Sequence, residues 1–524
     1  MMNFLTTFSK VLRVLLAILL LYFAFYLLVY HYKLIVFPYS NTFREAALES
    51  TTSLLTHGLN PYAFESQPQY ANLYGIVYPL IVWPLASHWG VTLLVHRVVT
   101  AFFIFACCFF MFWVLLKKKV PFLLNVLAIL MLYASLIYPA TSTPCVDPAA
   151  TGLFFMLLTI FIPYFGKYSY RSLVFSLVLG ILAFYTKPYF VLGVPIMVSY
   201  VFLFISKKRA IFYGGLGCLM FVVSIFVMNK IFPSYFDNCF FVHSNSASEW
   251  ESMERLVSQL KSYSYLHMGV LIFIIGFLIN RLYRFIRLGQ WQTLQDNILG
   301  FPKRIQWFVA ESPLIKGFLS LEIWAGICTF LVLVLSLGKH GGATLWYFFQ
   351  LLSPFLLMAV AQLAASMSLW IWIAAPLFIL SLHLLTVDDS FDKQMDGWAE
   401  VQAIVNTNRH IFCSSLIAPL LLERNKEIFD SGQSEYFLYG AERRGFWGLL
   451  FQEDKRVYGA MSNYLNRIDQ MIQHKEFELL IVCGYPSFLK KDVERFYRKA
   501  GAFPLYVPQE RRSYFLEIWV PADK

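Results

Sequence analysis

The side chains of this chain that could do chemistry are few and widely spaced: Glu45, Arg97, Asp147, Lys187, Lys339 and His340. Glu45 stands in Phe43-Arg44-Glu45-Ala46-Ala47-Leu48-Glu49, and Asp147 in Thr143-Pro144-Cys145-Val146-Asp147-Pro148. Lys187 follows in Tyr185-Thr186-Lys187-Pro188-Tyr189, and the last two in Gly338-Lys339-His340-Gly341-Gly342-Ala343. Carboxylates facing a set of basic groups are the inventory for moving a group off a lipid phosphate. The carboxylate takes the proton of an acceptor hydroxyl, and the cations stabilise the phosphate as charge builds on it. Glycines beside Lys339 allow a close backbone approach to phosphate oxygens.

Each of these residues also has a plainer reading. Glu45 could be solvated or paired with Arg44, and Glu49, one helical turn further on, reads as structural first and as an alternative base second. Asp147 could cap the helix that follows it. Lys187 could snorkel to an interface, and Lys339 and His340 could merely solvate a loop. Arg97 is a candidate phosphate contact. Tyr62 and Tyr74 are the aromatic residues singled out as substrate contacts.

The elements that must position these residues are membrane helices. The chain has 524 residues, of which 58% are hydrophobic and only 14% charged, against roughly 25% charged in soluble proteins. Apolar runs of spanning length recur from Val11 to about Leu385, and each must be helical because unpaired amides in hydrocarbon are costly. The first run, Val11 to Tyr30, is too long for a signal-peptide core and lacks a small-residue cleavage site. It reads as an uncleaved first helix.

Spans are expected near 11–31, 95–116, 120–140, 150–166, 172–186, 189–206, 211–230, 267–280, 318–337, 346–361 and 369–386. Basic clusters at Lys10/Arg13, Lys117-Lys118-Lys119, Lys167/Arg171, Lys207-Lys208-Arg209 and Arg281/Arg284/Arg287 with Lys303/Arg304 alternate with poorly basic segments. By the positive-inside rule they mark the cytoplasmic side. About eleven helices then leave the N-terminus inside and the C-terminus outside. The same clusters account for the net charge of +11, so nucleic acid is not implied.

On this path Glu45 falls in a long first outer loop, residues 32–94. Phe43 to Leu55 has helical spacing, and Ile76 to Trp89 is apolar but interrupted by Pro79 and Pro84. Two interfacial helices lying on the outer leaflet are expected. Asp147, Lys187, Lys339 and His340 fall on the same side. After Thr386 the composition becomes that of a soluble protein. Residues 395–524 carry helical patterns at Gly397–Val405 and Phe488–Lys499 and β-type runs at Phe477–Cys483 and Tyr514–Val520, which predict a small α/β domain outside the membrane. The eight cysteines show no metal-ligand spacing; Cys107, Cys108, Cys218 and Cys328 sit inside apolar helices, and Cys413 and Cys483 could pair or remain free thiols.

The ordered set Arg44-Glu45-Ala46, Gly58-Leu59-Asn60-Pro61-Tyr62, Tyr78-Pro79-Leu80, Asp147-Pro148, Thr186-Lys187 and Gly342-Ala343 before Tyr347 resembles the GT-C superfamily of membrane glycosyltransferases. It is similar to the bacterial branch related to protein mannosyltransferases and the aminoarabinose transferase of lipid A. The resemblance covers residues 1–390 and, more weakly, the outer domain. It implies an inverting transfer of a monosaccharide from a polyprenyl-phosphate donor to a glycan, lipid or protein acceptor on the outer face of a bacterial inner membrane. Glu45 would match the first-loop acid, Asp147 the acid of the second outer loop, and Lys187 the basic residue after the fifth span. Many relatives carry an Asp-Glu pair where this chain has Arg44-Glu45, and an Asn where Trp346 stands. A divalent metal ion therefore stays open as a cofactor.

Two other classes share parts of this pattern. A transporter or lipid flippase would have the helices and buried charges, but no internal repeat is visible and the charged candidates gather at one face. A non-enzymatic scaffold would put its function in the outer domain and would tolerate loss of Glu45 and Asp147.

Overall fold

An apolar chain in lipid must satisfy its amides within each segment, and the structure does so with helices. The computed structural model describes residues 2–42, 44–63, 74–137, 146–236, 320–336, 348–365, 396–424, 466–482, 490–507 and 512–522, together with short stretches near 238–264 and 426–463. The apolar module comprises α1 (Met2–Val36), α2 (Glu45–Thr56), α3 (Val77–Trp89), α4 (Leu93–Lys117), α5 (Phe122–Ile137), α6 (Ala149–Phe165) and α7 (Tyr170–Thr186). It continues with α8 (Gly193–Phe204), α9 (Lys207–Ile231), α10 (Leu321–Ser336) and α11 (Ser353–Ala365). Lys10–Val36, α4 and α9 are each long and apolar enough to cross a membrane, and the rest of the bundle is built from shorter apolar helices. The expected spans at 267–280 and 369–386, and the basic residues from Arg281 to Arg304, lie outside the described residues.

Helix ends follow local chemistry. The hydroxyls of Thr92, Ser169 and Ser206 accept amides of the first turns of α4, α7 and α9, which satisfies donors that a helix start leaves unpaired. Pro188 stops α7, and a short 3-10 turn, Pro188–Leu192, precedes α8. The single span expected over 189–206 is therefore a tight turn followed by a shorter helix, because proline has no amide to continue the ladder. The span expected from 346 opens likewise with a π turn, Phe348–Leu352, before α11.

One buried core runs through the bundle from Leu16 on α1 to Ala364 on α11. The outward faces of α1 and α9 stay apolar and exposed, at Leu21, Tyr22, Phe25, Leu219 and Phe226. These are surfaces for lipid.

The loop of residues 32–94 differs from its sequence reading in one respect. Ten of the twelve residues of α2 are buried, so protein encloses the helix. It packs on α3 and α4 and against the short helix Ala418–Leu422. Its buried hydroxyls are satisfied locally: Ser50, Thr51 and Thr52 each donate to the carbonyl four residues back.

The C-terminal residues form a four-stranded sheet in the order β1-β2-β4-β3, with β1 Ile411–Cys413, β2 Leu479–Val482, β3 Tyr497–Val507 and β4 Arg512–Pro521. Strands β1 and β2 are parallel, and the other pairs are antiparallel. Asp396–Thr407 is helical, as its spacing predicts. The helix predicted over Phe488–Lys499 instead covers Lys490–Phe496, and the chain turns to strand at Tyr497. Pairing along the whole of β4 outweighs the local helical preference. Cys413 is a buried free thiol, and Cys483 lies outside the described residues.

Candidate active site

Pro188 sets the geometry of Lys187. A residue before proline is pushed out of the helical region, and Lys187 is extended, with φ −150° and ψ 129°. Its Nζ reaches Asp147 Oδ1 at 2.6 Å. The same oxygen accepts the amide of Ala149 at 2.6 Å, so Asp147 both opens α6 and pairs the lysine. Burial lowers the Lys187 pKa and the Arg44 guanidinium adds to that, while Asp147 opposes both. The ammonium lies 5.4 Å from the ring centre of Tyr74 and 6.0 Å from that of Tyr189.

Glu45 is the first residue of α2, where a helix favours negative charge, and it is fully buried. Arg97, four residues into α4, grips it with two bonds: Nε donates to Oε1 at 3.0 Å and Nη2 to Oε2 at 2.8 Å. The amide of Asn41 donates to Oε2 at 2.6 Å, and that of Val146 to Oε1 at 3.1 Å. Four donors thus occupy a group with about four lone-pair sites. Arg97 also donates to the carbonyls of Phe37 and Tyr39.

The two ion pairs form one assembly. Val146 bonds Glu45 and its neighbour Asp147 bonds Lys187, so residues 146–147 join the start of α2, the start of α4 and the end of α7. Glu45, Arg97, Asp147, Lys187 and Tyr74 are brought together here. Tyr62 is one step removed: fully buried, its hydroxyl donates to the Tyr74 carbonyl at 2.8 Å. Lys339 and His340, with Trp346 and Tyr347, lie outside the described residues. The other end of the bundle carries a separate, partly buried pair, Lys118 with Glu322.

Sequence reasoning placed Glu49 behind Glu45 as a base, and the structure makes it conspicuous. Glu49 is fully buried, and neither of its oxygens has a hydrogen-bond partner among the described residues. Burial raises its pKa well above the ordinary value, Glu423 and Glu45 push the same way, and Arg97 opposes them. Glu423 follows the helix Ala418–Leu422 and accepts the amide of Leu93 at 3.4 Å. It comes from the C-terminal residues, so no local spacing could have revealed this neighbour.

Among the described residues no three His, Cys, Asp or Glu side chains converge to hold a metal ion. Glu45 and Asp147 are each paired with a cation.

The described residues build an α-helical bundle in which three helices are long and apolar enough to cross a membrane. The crystal structure of ArnT from Cupriavidus metallidurans bound to undecaprenyl phosphate aligns with a TM-score of 0.53 and 10% identity, covering 95% of this chain and 97% of that one. Likeness at that identity is a likeness of fold. No family model matches the sequence, and no curated protein matches it.

Proposed function

We propose that this protein is a glycosyltransferase that moves a monosaccharide from a polyprenyl-phosphate donor to an acceptor hydroxyl at the outer face of a bacterial inner membrane. The observation that carries the reading is the meeting of two buried ion pairs, Glu45 with Arg97 and Asp147 with Lys187, through residues 146–147 at one end of an apolar bundle. A fold shared with a structure that holds undecaprenyl phosphate supports the class of donor.

In the proposed reaction the acceptor oxygen attacks the anomeric carbon from the face opposite the phosphate. A bond from that oxygen to carbon forms, the bond from carbon to phosphate oxygen breaks, and its electron pair leaves with the polyprenyl phosphate. The configuration inverts. Glu45 takes the acceptor proton, exchanging one of its four donors for the hydroxyl, and Lys187 meets the charge that develops on the phosphate. Arg97 has four of its bonds committed to Glu45, Phe37 and Tyr39. It serves this reaction by holding the base. The helix Ala418–Leu422 of the C-terminal residues packs against α2.

The test is sugar transfer from a labelled polyprenyl-phosphate donor in membranes carrying the wild type, Glu45→Gln or Lys187→Met. Loss of turnover in both variants, with thermal unfolding still cooperative, is expected. Undiminished turnover in Glu45→Gln removes Glu45 as the base. Absence of transfer by the wild type across polyprenyl-phosphate sugars removes the reading.

A further inference from the structure

We infer that Tyr74 and Gly75 form a positioning strut that holds Lys187 against Asp147, an inference that rests on the proposed role of Lys187 at the donor phosphate. Gly75 approaches the end of α7 so closely that a Cβ built on it would lie 2.1 Å from the carbonyl oxygen of Tyr185 and 2.6 Å from that of Thr186. Both contacts are to main chain, so no rotamer change relieves them. Only a backbone shift does, and these are the two residues immediately before Lys187. Any side chain at position 75 therefore acts on the lysine's own backbone.

From the other side Tyr74 sets its ring against the Lys187 ammonium. An aromatic face attracts a cation without offering a hydrogen-bond acceptor. One of the three ammonium donors goes to Asp147, and the ring orients the group without consuming the others.

The strut is itself anchored. The Tyr74 carbonyl accepts the Tyr62 hydroxyl at 2.8 Å and the Cys239 thiol at 3.3 Å. Asn238 Nδ2 donates to the Tyr62 carbonyl at 3.1 Å, and Asn60 Nδ2 to that of Pro233 at 3.1 Å. Tyr62, Tyr185, Tyr235 and Cys239 close into a small apolar cluster of their own, apart from the main core. Two outer loops thus converge on the carbonyl one residue before Gly75. The sugar-contact reading of Tyr62 and Tyr74 needs accessible side chains, whereas the strut needs them buried and bonded, as Tyr62 is.

The experiment uses the full chain in detergent with Gly75→Ala and two readouts. The first is acetylation of Lys187 by a brief anhydride pulse, measured by mass spectrometry relative to Lys207, which requires no transferase activity. The second is KM for the polyprenyl-phosphate sugar and for the acceptor. The expected result is several-fold faster labelling of Lys187, with donor KM raised about tenfold and acceptor KM unchanged. A merely structural glycine would lower the active fraction and leave both KM values alone. Unchanged labelling in folded Gly75→Ala overturns the strut, whether or not transfer is detected. Faster labelling in a protein that transfers no polyprenyl-phosphate sugar upholds the strut and removes the donor reading. Should Gly75→Ala fail to fold, Tyr62→Phe removes the hydroxyl that donates to the Tyr74 carbonyl and is read by the same criteria.

Discussion

At the scale of single residues the cluster around Arg97 holds two carboxylates of opposite character within one helical turn. Glu45 is surrounded by donors, and Glu49 has none among the described residues. Removing one partner of a buried ion pair leaves the other charge uncompensated, at a cost of about 3–5 kcal/mol. Arg97→Ala should therefore lower the thermal midpoint in detergent by far more than the double change Glu45→Gln with Arg97→Met, which removes both charges. Equal midpoints for the two variants would show that the pair is not buried as described. For Glu49 the sign runs the other way. Its pKa in the folded protein lies above the ordinary 4.5, so its stabilising contribution is complete below about that value and is lost as pH rises toward the folded pKa. Glu49→Gln removes the penalty. The midpoint difference between Glu49→Gln and wild type should widen in favour of the variant from pH 5 to pH 8, and a difference independent of pH would mean that Glu49 stays ionised.

At the scale of elements, the bundle depends on close helix approach near the site. A Cβ on Gly152 would lie 2.2 Å from a ring carbon of Phe190, and Phe190 is itself fully buried in the turn that follows Lys187. Overpacking a tight core costs about 1–3 kcal/mol, so Gly152→Ala should lower the midpoint and Phe190→Leu should restore part of it. A wild-type midpoint in Gly152→Ala would show that the turn yields freely. The helices themselves were legible in the sequence, because lipid demands long apolar runs and basic clusters separate them: α4 and α7 lie within two residues of their expected bounds. The convergence of Glu45, Asp147 and Lys187 at one end followed from the same alternation. What was not legible depends on distant chain. The enclosure of α2, the grip of Arg97 on Glu45 and the start of β3 at Tyr497 are set by partners far away in sequence, which local spacing does not encode.

At the scale of the whole molecule, residue 39 joins the membrane module to the C-terminal sheet domain. Its ring stacks on Trp398 with centres 4.9 Å apart and planes 4° from parallel. Its hydroxyl donates to Gln402 Oε1 at 2.8 Å, and its carbonyl accepts Arg97 Nη2 at 2.6 Å. Phe37, Tyr39 and Ala46 belong to the buried cluster that contains Trp398, Leu420 and Leu479. Docking of the C-terminal sheet and placement of Glu45 thus share one segment of backbone. An aromatic pair contributes about 0.5–1.5 kcal/mol beyond its buried area, and a hydrogen bond about as much. Tyr39→Ala removes both while leaving the carbonyl that Arg97 uses. Amide exchange in the full-length protein should then speed up about tenfold to a hundredfold in Asp396–Thr407 and in α2. Exchange along the β3–β4 ladder, which pairs within the domain, should not change. Sugar transfer should fall with Tyr39→Ala, although no residue of the proposed reaction has been altered. If exchange in α2 stays at the wild-type rate while Asp396–Thr407 opens, the C-terminal residues dock without supporting Glu45, and the coupling between them and the site is lost.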